Sequence, residues 1–321
     1  MKIVVLDGYT LNPGDLNWES IKQYGDLTVF DRTPYNDKDI INNIDDAEIV
    51  LTNKTPLNGS ILAKTPNLKY IGVLATGYNV VDIEFAKKNN IIVTNVPDYS
   101  SSAVAQFTMA LLLEMCHHVG AHDTAVKNGE WVKSKDFSFW NYPLIELSGK
   151  TLGIIGFGKI GKAMAKIAQV FGLKIKVYNR TVYTEFENDT LNFVALEELL
   201  RTSDIISLHC PLTKETEGFI NSRSIAKMKD GTMIINTSRG PLINETDLTN
   251  ALNEGKLSGA ALDVISKEPM EKDNPLLGAK NCIITPHIAW APKEARIRLM
   301  QTTVENLEAF LSGKPKNVVN A

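Results

Sequence analysis

Apolar positions along the chain gather into short runs rich in Val and Ile. Five lie in the first hundred residues: KIVVLD (2–7), LTVF (27–30), EIVLT (48–52), KYIGVL (69–74) and IIVTN (91–95). Six more follow: TLGIIG (151–156), KIKVYN (174–179), DIISLHC (204–210), TMIINT (232–237), LSGAALDV (257–264) and NCIITP (281–286). The runs are nearly continuous rather than alternating, the pattern of strands covered on both faces in parallel sheets. Segments with helical spacing or turn residues separate them, so the expected class is α/β.

Between the two sets lies SSSAVAQFTMALLLEMCHHVGAHDTAVKNGEW (100–131). Ser100 to Ser102 offer N-caps for a long apolar-rich helix, which reads as a domain junction. After the last run, PKEARIRLMQTTVENLEAFLSG (292–313) reads as an amphipathic helix stopped by Gly313 and Pro315, able to pack back on the first domain. The expected plan is a discontinuous outer domain, 1–100 with 290–321, around a contiguous inner one, 101–289.

Composition narrows the function. A hydrophobic content of 44% and a formal charge of −3 describe an ordinary globular protein. The charge points to no nucleic-acid or membrane-surface partner. Cys116, Cys210 and Cys282 are odd in number, far apart and free of CxxC spacing, so neither a disulfide framework nor a metal site is expected. MKIVVLDGYT lacks the length and cleavage site of a signal peptide, and AVAQFTMALLLEMC (103–116) is too short to span a bilayer. A cytoplasmic protein is expected.

The strongest local motif opens the second set. A strand runs into Gly156-Phe157-Gly158-Lys159-Ile160-Gly161, and a helical segment follows. In that context the glycines permit a tight turn, close approach of a pyrophosphate, and close packing of helix on strand. The phosphates would sit at the positive end of the helix. Residues 101–289 therefore read as a dinucleotide-binding domain. The next strand ends in Asn179, Arg180 and Thr181, with no carboxylate for the ribose hydroxyls. Arg180 can pair with a 2′-phosphate while Asn179 and Thr181 donate to it, so NADP(H) is favoured over NAD(H).

Three further groups follow, each at the C-terminal end of a run: Arg239 after TMIINT, Asp263 and Glu268 after the next, and His287 after the last. Alone, each is an exposed Arg, a loop carboxylate or a packed His. Together, behind a dinucleotide loop, they supply what hydride transfer to a 2-keto acid requires. Arg239 can hold the carboxylate and polarise the carbonyl. His287 can deliver a proton to the carbonyl oxygen, and Glu268 can keep that imidazole charged and oriented.

With these residues in place, the chain resembles the D-isomer-specific 2-hydroxyacid dehydrogenase family over essentially its whole length, through GIIGFGKIG, LHCPLT, INTSRGPLI, ALDV…EP and TPHIAW. The resemblance implies a Rossmann-type doubly wound parallel sheet domain plus a flavodoxin-like discontinuous substrate domain, the two closing on the substrate. It implies Arg–Glu–His roles for Arg239, Glu268 and His287. It also implies a nicotinamide contact for Asp263, cofactor contacts for Thr237 and Cys210, and a nest of backbone amides at Ala75, Thr76 and Gly77 for the substrate carboxylate. TNKTPL, KDFSFW and HIAWAPKEAR look most like the glycerate dehydrogenase or hydroxypyruvate/glyoxylate reductase branch. There Lys54 would attract the substrate and Trp290 would wall its pocket. Trp131 or Trp140, on an arm of a homodimer, would pack in the dimer interface or reach the neighbouring subunit's site. The sequence departs from the family pattern at Leu74 and Ala75, at Gln106, and in its Asn-Arg-Thr ribose segment. A D-lactate, phosphoglycerate or formate type stays open, as does a non-catalytic dinucleotide-sensing protein.

Overall fold

In the computed structural model, which describes residues 1–321, the chain forms two compact units: Met1–Ser100 with Ala291–Ala321, and Ser101–Trp290. In the first, β1 (Lys2–Val5), β2 (Asp26–Val29), β3 (Ile49–Thr52), β4 (Tyr70–Val73) and β5 (Ile92–Thr94) pair in parallel in the order 2-1-3-4-5. The interior strands β3 and β4 are buried throughout, whereas the edge strand β2 alternates. Val4, Val50, Ile71 and Val93 meet Ile40, Ile44 and Ile61 from the covering helices. Ile40 and Ile44 share one face of the helix Asp37–Ile44, whose start is capped by the Asn36 side chain accepting from the Asp39 amide.

The helix Lys293–Leu311 belongs to this unit. The Phe310 ring lies 4.6 Å from that of Tyr70 between centroids. At the other end the buried Arg296 forks onto Asp15 at 2.6 and 2.7 Å and donates to the carbonyls of Leu11 and Ala291. Beyond the helix Gly313 turns the chain at φ +74°, and Val318 bridges to Thr94 beside β5.

The second unit holds β6 (Thr151–Ile155), β7 (Lys174–Tyr178), β8 (Leu191–Phe193), β9 (Ile205–Leu208), β10 (Thr232–Asn236), β11 (Leu257–Leu262) and β12 (Cys282–Ile284). All pair in parallel in the order 12-11-10-9-6-7-8. The order reverses at β6, where doubly wound sheets bind ligands beyond the carboxyl ends of their strands. On one face Leu112, Met164 and Ala168 pack on Ile154 and Ile235. On the other, Leu199, Leu248 and Leu252 pack on Ile206 and Ile234.

Two elements differ from the expectation. The apolar runs miss β8, a three-residue edge strand whose burial alternates. The long helix after Ser100 ends at His117, because His118 takes a left-handed turn at φ 48°. Val119–Lys127 and Glu130–Lys133 follow as separate helices. No helix is long and apolar enough to cross a membrane.

Candidate active site

The glycine loop has the shape its motif requires. Gly156 sits at φ +94°, and a Cβ there would lie 2.6 Å from the backbone of His209 and Cys210. A Cβ on Gly161 would lie 2.3 Å from the Gly156 carbonyl oxygen. A Cβ on Gly158, by contrast, would meet nothing within 4 Å, and no side chain caps the twelve-residue helix Lys159–Val170 that it starts. An uncapped helix end behind open space suits a pyrophosphate, so these residues fit a dinucleotide. Lys159 is exposed and Ile160 half-buried in the first turn. Phe157 points inward instead, buried edge-on against Phe186 and Phe193.

The ribose end gives Asn179 a second task. The Asn179 side chain turns inward: its Oδ1 accepts from the Phe157 amide at 3.0 Å and its Nδ2 donates to the Thr181 carbonyl at 2.8 Å. It braces the glycine loop and has one amide hydrogen left. Arg180 and Thr181 are exposed, and Arg180 forms no ion pair with a carboxylate. Cys210 is half-buried with its thiol pushed up by burial, its backbone against Gly156. Beside it burial lowers the His209 imidazole to about 4; Nε2 meets Ser207 Oγ at 2.9 Å while Nδ1 is buried without a partner. Thr237 is buried with its hydroxyl 2.9 Å from that of Thr108. Since Thr108 donates to Val104 O, Thr237 is the donor to Thr108 and keeps only acceptor capacity.

Arg239, Glu268 and His287 stand on the segments following β10, β11 and β12. His287 Nδ1 lies 2.7 Å from Glu268 Oε2, which leaves Nε2 as the outward ring nitrogen. Both side chains are about a third exposed or less, at 28% and 33%. Arg239 is exposed, donates to the Ser238 carbonyl at 2.7 Å, and forms no ion pair with a carboxylate. Asn236 fixes its turn, donating to the Arg239 carbonyl and accepting from the Ser238 amide. Gly240 allows this turn to press on the Glu268 loop: a Cβ there would fall 1.9 Å from the Ile265 carbonyl.

Asp263 has a role the sequence did not disclose. Its buried carboxylate accepts from Thr285 Oγ1 at 2.6 Å, the Ile288 amide at 2.9 Å and the Ala289 amide at 2.8 Å. These bonds bracket His287, which is held at φ +53°. The expected nicotinamide contact would have to be made by a carboxylate already engaged three times. Trp290 is half-buried at the end of this segment.

In the first unit, Ala75, Thr76 and Gly77 follow β4, and the amides of Thr76 and Gly77 donate to no other group of the chain. Thr76 Oγ1 instead donates to the Val96 carbonyl. Lys54 is exposed on a loop tied down by Asp7, which accepts from the amides of Asn53, Lys54 and Thr55. Trp131 and Trp140 lie exposed beyond the helix Val119–Lys127.

Known proteins resemble this chain in sequence and fold. The model of the family described as D-isomer specific 2-hydroxyacid dehydrogenase, NAD binding domain, matches residues 109–289. The chain is 57% identical to a hydroxypyruvate reductase of Blautia hydrogenotrophica over the full length of both chains. It is 38% identical to a glycerate dehydrogenase of Methylorubrum extorquens, covering 100% of this chain and 99% of that one. The D-lactate dehydrogenase of Aquifex aeolicus, solved with NAD and lactic acid, superposes with a TM-score of 0.86 at 30% identity, covering 100% of this chain and 99% of that one. The chain thus belongs to the D-isomer specific 2-hydroxyacid dehydrogenase family of oxidoreductases, and its second unit carries the nicotinamide dinucleotide.

Proposed function

We propose that this chain reduces small 2-keto acids to D-2-hydroxy acids, hydroxypyruvate to D-glycerate and glyoxylate to glycolate, with NADP(H) preferred over NAD(H). The bond between His287 Nδ1 and Glu268 Oε2, 2.7 Å long, carries the reading. A carboxylate accepting at Nδ1 fixes the direction of the ring and leaves Nε2 to hand a proton to a carbonyl oxygen. The bound nicotinamide supplies the hydride. Arg239, free of any carboxylate partner, forks onto the substrate carboxylate and draws charge from the carbonyl. Within the first unit the free amides of Thr76 and Gly77, with Ala75, form a nest suited to a carboxylate, and the exposed Lys54 attracts anions. Trp290 shapes the pocket. One keto acid, one reduced cofactor and one proton give one hydroxy acid and one oxidised cofactor.

Asp263 acts through the backbone that holds His287. The Arg180 guanidinium, exposed at the end of β7 and in no ion pair although the Glu215 carboxylate feels its charge, supports the NADP(H) preference. A cytoplasmic homodimer fits the exposed Trp131, Val132, Phe137 and Trp140 of one arm. Names of the relatives support the substrates: hydroxypyruvate for one, glycerate for another.

The test follows NADH and NADPH oxidation with hydroxypyruvate, glyoxylate, pyruvate and phosphohydroxypyruvate. Hydroxypyruvate with NADPH should give the highest kcat/KM. His287→Gln should lower turnover by roughly a hundred-fold or more with cofactor affinity unchanged; unchanged turnover would remove His287 as the acid. A preference for NADH surviving Arg180→Ala would overturn the cofactor reading.

A further inference from the structure

We infer that Glu245 is a positioning residue for proton transfer: its carboxylate fixes the loop that carries Glu268, and through Glu268 the ring of His287. The inference rests on the reading of Glu268 and His287 as the acid pair.

Glu245 is the first residue of the helix Glu245–Asn253, six positions beyond Arg239 on the segment leaving β10. Its two oxygens reach the two ends of the Glu268 loop. Oε1 accepts from the Ser266 amide at 2.6 Å, and Oε2 accepts from Asn274 Nδ2 at 2.8 Å. Glu268 lies between these anchors. The carboxylate thus closes a loop that has no regular secondary structure between Leu262 and Pro275.

The other bonds of the loop do not replace this bridge. Lys267 and Glu271 pair with each other on the exposed side. Glu268 Oε1 accepts from the Ile265 amide at 3.3 Å, which orients the carboxyl within the loop without attaching the loop to anything else. Gly240 packs against Ile265 and Ser266, so the loop is also confined sterically at the same end where Glu245 holds it. At the far end the bond to Asn274 acts together with the buried Leu276, which shares an apolar cluster with Leu248 and Leu252 of the same helix. Glu245 therefore links the segment that carries the cation to the loop that carries the carboxylate. Small displacements of a catalytic group weaken proton transfer steeply.

The chemistry of the bridge sets its test. In Glu245→Gln one end becomes a donor. Facing Asn274 Nδ2 it meets another donor, and Asn274 cannot flip because its Oδ1 accepts from the Leu276 amide at 2.9 Å. Exchanging the two groups, in Glu245→Gln/Asn274→Asp, restores the bond with its polarity reversed and leaves the net charge unchanged. Glu245→Gln should lower kcat for hydroxypyruvate reduction roughly tenfold, with the KM for the cofactor unchanged. The exchange variant should return kcat to within about twofold of the parent, a rescue that a merely structural loss would not show.

An unchanged kcat in Glu245→Gln, or an exchange variant as impaired as the single one, overturns the inference. Glu268→Gln is measured alongside. If that variant leaves kcat unchanged, the acid pair itself is wrong; if it lowers kcat and Glu245→Gln does not, only the positioning role falls. Should Glu245→Gln fail to fold, Asn274→Ala removes the same bond from the other side and carries the same expectations.

Discussion

Asp7 and Asp263 perform the same local task in two different sheets. Each follows a strand, β1 in one case and β11 in the other, and is buried, 7% and 1% exposed. Each accepts three hydrogen bonds from the segment after the neighbouring strand, β3 for Asp7 and β12 for Asp263. The difference lies in what is held. Asp7 binds three consecutive amides, those of Asn53, Lys54 and Thr55, and no residue among them has positive φ. The turn is fixed while the exposed Lys54 side chain stays free to rotate. Asp263 binds on both sides of His287 and holds it in the left-handed region at φ +53°. A residue held there at a cost needs support from both flanks, and the result is an imidazole whose direction is set by its backbone as well as by Glu268.

The largest effect should come from removing the two carboxylates in turn. Asp263→Ala leaves two amides and a hydroxyl without their acceptor, which should cost roughly 3–5 kcal/mol of stability. It should also lower kcat by about a hundred-fold, since His287 is no longer aimed. Asp7→Ala should cost similar stability while acting chiefly on KM, because its loop carries a cation that attracts substrate. Denaturant unfolding and steady-state kinetics on both variants decide this. A loss of kcat in Asp7→Ala as large as that in Asp263→Ala would erase the distinction.

Neither clamp was legible in the sequence, although the sheets were. Apolar runs rich in Val and Ile marked eleven of the twelve strands, most plainly β3, β4, β9 and β10, which are buried throughout. The one missed, Leu191–Phe193, is short and at an edge. The glycine loop and the Arg, Glu and His positions were legible because each stands at a strand's C-terminal end. Asp7 was not, because its partners lie 46 to 48 positions away and are backbone amides, which no residue type announces. Gly240 reads as an ordinary turn glycine; its need for a bare Cα comes from Ile265, which only the fold brings near. Asn179 reads as a ribose ligand; that its side chain also braces the Phe157 amide was not legible, since periodicity does not reveal which way a polar side chain turns.

A second contrast concerns acid. His117, His118, His122, His209 and His287 all lie in the Ser101–Trp290 unit. Burial lowers His209 to about 4, below the roughly 6.5 of an unfolded chain, so the fold requires it neutral. Its contribution is complete above about pH 6.5 and is lost as pH falls toward 4, reaching about 3 kcal/mol. Hydrogen exchange between pH 7 and 4.5 should show residues 101–290 losing protection in this window, and His209→Asn should flatten the dependence. An unaltered slope in that variant would mean the acid sensitivity arises elsewhere.

Smaller effects probe the two held segments directly. Replacing His287 with Gly removes the left-handed strain and should stabilise the protein by about 1 kcal/mol while abolishing turnover. Lys54→Gly, at a residue without positive φ, should destabilise by about 0.5–1 kcal/mol. Opposite signs in thermal unfolding support the contrast; equal signs refute it.

The smallest effect concerns the polar groups each carboxylate leaves behind. Around Asp263 the Thr285 hydroxyl is bonded, whereas beside Asp7 both Asn53 Oδ1 and Thr55 Oγ1 are buried without partners. Thr55 is fully buried, and its carbonyl already accepts from Thr52 Oγ1 at 3.1 Å, a bond that any side chain at 55 preserves. Thr55→Val removes an unpaired hydroxyl and keeps the shape, so stability should rise by up to about 1 kcal/mol. Thr285→Val removes a bonded hydroxyl and should lower it by about as much. If Thr55→Val destabilises as Thr285→Val does, the Asp7 turn has a partner for that hydroxyl and the two clamps are equally complete.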